Sequence, residues 1–233
     1  MKTSNLIYVL HKLGLFRMLD RGRDYAVFAK AAKRPSFSQN GEDLFLREHF
    51  GNRQGVYIDI GGNHPLSLSN TYLLYRMGWS GLVVEPIRRL CAKHRRFRPR
   101  DIQVNAAVGD TSGNLTFYEM VPSCLSTCDL SEVEHAVSAR SARLMREYSV
   151  PVVTLAELYR THLSSRTVSL LSIDTEGHDM AVLRGNDWKI LRPEVVICEA
   201  MNESQQAEIE TFLAPCGYDR AKILGCNLLF VRR

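Results

Sequence analysis

The sequence has no run of about 18 apolar residues, which excludes a polytopic membrane protein. It has no Cys-x-x-Cys pair. Its six cysteines, at 91, 124, 128, 198, 216 and 226, lack the spacing of a zinc site. They read as reduced thiols of a cytosolic protein, with Cys198 a small buried hydrophobe in the run Val195-Val196-Ile197-Cys198. Gly-x-Gly-x-x-Gly is missing too, so a dinucleotide pyrophosphate would lack its usual seat at a helix N-terminus. The apolar stretch Leu6-Ile7-Tyr8-Val9-Leu10 breaks at His11-Lys12 without a small-residue cleavage site, and the expectation is a location inside the cell. The charge imbalance is modest: 30 basic against 25 acidic residues leave a formal +5. Much of that surplus lies in one run, Arg88-Arg89, Lys93-His94-Arg95-Arg96, Arg98 and Arg100. It reads as a solvated helix face; the alternative is a docking surface for an anionic substrate, a lipid headgroup or nucleic acid. Aromatic residues are not interleaved with the basic ones as a stacking platform requires, which disfavours nucleic acid.

What is present is ordinary globular composition, 45% hydrophobic and 24% charged over 233 residues, with one domain as the default. Residues 1–35 are basic, with apolar residues at near-helical spacing, and predict one or two amphipathic helices. Three roles compete for them: covering the core domain, packing in a homodimer, or lying on a membrane surface at the inner face. From residue 36 strands and helices alternate. Ser38 is expected to cap a first helix. Strands are predicted at 56–60, 81–85, 102–108, 168–174 and 194–199, with a closing pair at 218–223 and 228–231. Segments 115–118 and 150–153 read as peripheral strands, Pro151 suiting an edge. The polar segment 120–148 reads as a loop followed by a helix, a candidate lid. This pattern predicts an α/β fold with a mostly parallel sheet whose last strand is antiparallel.

In such sheets ligands bind at the carboxyl ends of strands. Three predicted strand ends carry acids: Asp59, Glu85 and Asp174. Asp59 opens a Gly61-Gly62 turn that lets the backbone approach a ligand closely. Glu85, at the next strand end, suits the two hydroxyls of an adenosyl ribose. With no pyrophosphate seat, S-adenosylmethionine is the natural cofactor.

These segments resemble the FkbM-type methyltransferases. The resemblance rests on Ser38-Gln39-Asn40-Gly41-Glu42-Asp43, on Asp59-Ile60-Gly61-Gly62-Asn63-His64-Pro65 with Ser69-Asn70-Thr71, and on Gly78-Trp79-Ser80-Gly81-Leu82-Val83-Val84-Glu85-Pro86. It continues in Ile173-Asp174-Thr175-Glu176-Gly177-His178-Asp179, Val182-Leu183-Arg184-Gly185 and Arg192-Pro193. Thr175 and Asp179 depart from the usual pattern. The resemblance implies a class I, Rossmann-like methyltransferase domain over 36–233 with a seven-stranded sheet, preceded by N-terminal helices. It implies O-methylation of a sugar or glycan, glycolipids included, or of a secondary metabolite. It also implies that Asp59, Gly61 and Asn63 surround the methionine part of the cofactor, Glu85 its ribose, and Asn105 and Ala106 its adenine. Asn70 and Pro86 fall in its cofactor-side segments, and Gln39, Glu42 and Asp43 close over the site.

A hydroxyl needs a base or a metal before it attacks. Asp174, Glu176 and His178 cluster past one strand end, with His64 as the second candidate base. Asp174 could instead simply cap a helix. Asp174, Glu199 and Asn202, at adjacent strand ends, could hold a divalent cation. A nucleic-acid-modifying protein and a noncatalytic adaptor of the same fold stand as alternatives. The intact acids argue against the adaptor.

Overall fold

The computed structural model describes residues 35–233. The helices expected over 1–35, and the roles weighed for them, fall outside the described residues save for Pro35. In chain order, α1 (Glu42–Phe50) leads into β1 (Val56–Ile60), α2 (Tyr72–Arg76), β2 (Ser80–Val84), α3 (Arg88–Phe97), β3 (Ile102–Val104), β4 (Ala107–Gly109) and β5 (Gly113–Val121). A 3-10 turn (Ser123–Leu125) and α4 (Leu130–Ser138) precede the long β6 (Arg143–Thr154). Then come α5 (Leu155–His162), β7 (Leu170–Ile173), α6 (Asp179–Arg184), β8 (Val195–Glu199), α7 (Glu203–Leu213), β9 (Tyr218–Leu224) and β10 (Asn227–Arg232).

Seven strands form one sheet in the order β3-β2-β1-β7-β8-β10-β9. Strands β1, β2, β3, β7 and β8 pair in parallel, while β10 runs antiparallel between β8 and β9. This is the expected class I architecture with its reversed last strand. Strand alternation splits the core into two faces. Ile58, Ile60, Leu82, Leu171, Val196 and Phe230 pack with Leu155, Leu158, Val182 and Leu213 on one side. Tyr57, Val83, Leu170, Ile197 and Leu229 pack with Leu46, Phe50, Leu74 and Trp79 on the other. Each of these side chains, buried in full, contributes about 1.5–3 kcal/mol. Among the described residues no helix is long and apolar enough to cross a membrane.

Several local expectations are corrected. The strand expected over 102–108 is two. Its first half, β3, joins the main sheet and its second half, β4, joins a separate sheet of order β4-β6-β5. The 120–148 segment does contain a helix, α4, but its end belongs to β6, which pairs with β5 along nine positions from Gly113↔Val152 to Val121↔Arg143. Pro151 is therefore in a central strand, and it is tolerated where pairing with β4 has not begun, since that starts at Val152. Gly41, in the left-handed region at φ 88°, caps α1, whereas the Ser38 hydroxyl bonds the Asp43 carboxylate at 2.8 Å. The N-cap of α6 is His178, not Asp174. The basic run is not a uniformly solvated face, because His94 and Arg98 are wholly buried.

Candidate active site

The order of strands reverses between β1 and β7, the place where open α/β sheets form their ligand crevice. Two turns meet there. The chain leaves β1 through Gly61, at φ 77°, and a Cβ on it would lie 1.8 Å from the Asp174 carbonyl oxygen, so no larger residue fits. The amide of Asp174 in turn donates to the Ile60 carbonyl at 3.0 Å. Around these turns opens a cavity of about 420 Å³.

At one end the cavity is lined by Glu85 and by apolar groups, among them Ile87, Ala106, Val108 and Phe117. Glu85 is buried and accepts from the Asn63 amide at 2.8 Å and the Ile87 amide at 2.7 Å. Burial nevertheless pushes its carboxyl up to about 7, against the opposing pull of those two bonds. Pro86 lines the cavity beside it. Asn105 serves the same corner from behind: its amide donates to the Glu85 and Pro86 carbonyls, both at 2.8 Å, stapling the loop.

At the other end three carboxyl groups converge. Oxygens of Asp174, Glu176 and Glu199 lie within 4.8 Å of one another. Glu176 reaches in from an unusual backbone at φ 52°. Burial raises all three above the ordinary carboxylate range, and their mutual repulsion adds to it, so the cluster retains protons near neutral pH. Glu199 Oε1 accepts from the Cys226 thiol at 3.1 Å, while its Oε2 is buried without a partner. Asp179 ties the two strand ends together, accepting from Thr175 and from the Glu199 amide at 2.9 Å. His178 lines the cavity beside this cluster.

The fold thus brings Gln39, Gly61, Asn63, Glu85, Pro86, Ala106, Asp174, Glu176, His178 and Glu199 around one cleft. Other expected site residues lie behind it. Asp59 turns away from the cleft to accept from Thr71, and lies 3.8 Å from the buried Arg98. Asp43 accepts from Ser36, Ser38 and the Phe37 amide, anchoring the entry loop. Asn70 donates to the Ser172 hydroxyl. His64 Nδ1 accepts from the Leu66 amide. Asn202 caps α7 through the Gln205 amide, and Glu176 occupies the third place in the acidic cluster.

A further wall comes from within the 120–148 segment. Ser123, Cys124, Leu125, Ser126 and Cys128, between β5 and α4, form a strap over the cleft. Ser123 donates to Asn63 Oδ1 at 3.2 Å and Thr127 donates to the Glu176 carbonyl at 2.8 Å, so the strap is fastened to both turns. Its role rests on a hairpin outside the main sheet, which no local motif announces.

The model of the methyltransferase FkbM domain matches residues 59–220. No curated protein matches the chain. Among solved structures, a TehB-like SAM-dependent methyltransferase from Corynebacterium glutamicum is 12% identical, with 93% of this chain and 97% of that chain covered at a TM-score of 0.45. A precorrin-6y C5,15-methyltransferase from Geobacter metallireducens is 11% identical, with 86% and 93% covered at 0.47. The 1,6-didemethyltoxoflavin-N1-methyltransferase from Burkholderia thailandensis, with bound S-adenosylhomocysteine, is 10% identical, with 99% and 89% covered at 0.40.

Proposed function

The chain belongs to the FkbM methyltransferase family, and from that premise we propose that it moves the methyl group of S-adenosylmethionine onto a hydroxyl of a sugar, glycan or secondary metabolite. The observation that carries this reading is the division of a single cleft. An apolar compartment headed by Glu85 stands at one end and three convergent carboxyl groups at the other, with the Gly61 turn between them. The donor set fits the cofactor: a carboxylate for ribose hydroxyls, apolar walls for adenine, and a close backbone turn for the methionine part.

Bound there, S-adenosylmethionine supplies a methyl group on a sulfonium that leaves as a neutral thioether. The chain must align the acceptor oxygen and take its proton. Alignment alone can supply about 7–11 kcal/mol. In this reading Asp174, Glu176 and Glu199 hold the acceptor's hydroxyls through hydrogen bonds, and an ionised member of the cluster, or His178, removes the proton. Such general-base removal is worth about 10²–10⁴-fold in rate.

A second reading is favoured by the spacing of the carboxyl oxygens within 4.8 Å. Asp174, Glu176 and Glu199 could share a divalent cation that lowers the acceptor's pKa. Incubation with S-adenosylmethionine and a panel of hydroxylated acceptors, read by mass, tests both. A gain of one methyl on an alcohol oxygen is expected, and transfer only to nitrogen or carbon would refute the proposal. Loss of turnover on chelation, restored by added cation, selects the cation version. Turnover indifferent to chelator but reduced at least a hundred-fold in His178→Ala selects His178 as the base.

A further inference from the structure

Helix α3 carries two buried polar residues one turn apart, His94 and Arg98, both wholly enclosed. They hold opposite ends of the segment that follows β1. Arg98 donates to the Thr71 hydroxyl at 2.8 Å and to Asp101 at 2.7 Å, and lies against Asp59. His94 addresses the turn itself. Its Nε2 lies 3.1 Å from the Gly62 carbonyl oxygen and 3.0 Å from that of Asn63. Both partners can only accept, so Nε2 carries the proton and donates to the two carbonyls. Its Nδ1 is buried without a partner, and burial, with the Arg98 charge, drives the imidazolium pKa down to about 3. The ring is therefore a neutral donor of fixed tautomer.

The residue it grips is conformationally costly. Asn63 sits at φ 37°, in the left-handed region that side-chain-bearing residues seldom adopt. From that conformation its amide points at Glu85 Oε2 and its Oδ1 takes the Ser123 hydroxyl. Asn63 thus reaches both the ribose carboxylate and the strap.

We propose that His94 is a positioning residue for the cofactor site, whose Nε2–H, shared by the Gly62 and Asn63 carbonyls, holds the turn in its binding conformation before the cofactor arrives. The inference rests on the reading of the cleft as an S-adenosylmethionine site. Without the donor, the two carbonyls lose their partner and the turn relaxes, so binding must first restore it.

The test is calorimetry of S-adenosylhomocysteine binding to the full chain, beside thermal melting without ligand, for His94→Phe, His94→Leu and His94→Gln. The apolar variants fill the space without a donor, and either one that folds is sufficient. Gln restores an N–H. The expected result is a loss of affinity of about ten-fold or more in the apolar variants, with Gln within about three-fold of wild type. Wild-type affinity in a folded apolar variant overturns the proposal. Equal loss in all three also overturns it, since a packing role alone would then explain the site. Failure of the wild-type chain to bind S-adenosylhomocysteine would instead refute the reading of the cleft, and is distinguishable on that ground.

Discussion

Glu85 shows how one residue's surroundings set its working range. Its two oxygens already take backbone amides, and burial still holds its carboxyl near 7 rather than at the ordinary value of 4.5. Ribose hydroxyls donate, so they favour the ionised form. Affinity for S-adenosylhomocysteine should therefore fall as the pH is lowered from 8 to 5.5 in the wild-type chain and stay flat in Glu85→Gln. That variant should also bind about ten- to a hundred-fold more weakly at pH 8, the cost of losing hydrogen bonds to a charged group. The stability effect has the opposite slope. The folded carboxyl binds its proton more tightly than the unfolded one, so this contribution is present below about pH 4.5 and is lost as the pH rises through 7. Unchanged affinity in Glu85→Gln across that range, measured by calorimetry, would remove Glu85 from the ribose site. At this scale the sequence is legible where a side chain follows a strand directly, as for Glu85 and Asp174. It does not reveal that Asp59 is engaged by Thr71 and Arg98, partners 12 and 39 positions away that no spacing rule connects.

The same contrast holds among elements. Short apolar strands and the Thr154 cap are readable because their signals are local. Thr154 accepts from the Glu157 amide at 3.1 Å while the Glu157 side chain accepts from the Thr154 amide, a reciprocal box written in four residues. Strand β6 is not readable in this way. Residues 143–149 are mostly exposed and polar, and become a strand only by pairing with β5. That hairpin is what carries the strap across the cleft. Thr127 fixes the strap to the acidic turn through its hydroxyl, and Thr127→Val keeps the shape while deleting that bond together with the one the hydroxyl accepts from the Asp129 amide at the start of α4. The expected outcome is a rise of about three- to ten-fold in acceptor KM, from a lost hydrogen bond of about 1 kcal/mol. Cofactor affinity should change by less than two-fold, because Ser123 still fastens the strap to Asn63. Steady-state kinetics in which both constants are unaltered would show that the strap takes no part in holding the acceptor.

Across the whole molecule the charge balance and the local field point in opposite directions. The chain is formally +5, yet its cleft is lined by Glu85, Asp174, Glu176 and Glu199, and among the described residues no Lys or Arg lines it. Several described arginines pair with acids elsewhere. Arg98 is enclosed with Asp101 and Asp59, Arg89 and Arg146 close on the buried Glu119, and Arg53 pairs with Glu194 on the surface. A basic composition therefore says little about what the cleft admits, because a cleft with low-dielectric walls responds to its own charges. The cluster at the acceptor end keeps protons near neutral pH, but at pH 8 Glu199, held near 7, is largely ionised, so it repels a phosphate or carboxylate placed beside it and accepts hydrogen bonds from neutral hydroxyls. At pH 8 neutral sugars and polyols should thus be methylated with a kcat/KM at least about ten-fold above that of their phosphorylated or uronic-acid counterparts, since one like-charge contact at such a site costs on the order of 1.4 kcal/mol or more. Glu199→Gln, which removes that charge while keeping the side chain's shape, should narrow the ratio even if it slows both reactions. A comparison of matched neutral and anionic acceptors that finds the anionic one preferred, or the ratio unmoved by Glu199→Gln, would show that the acceptor is held away from the acidic cluster.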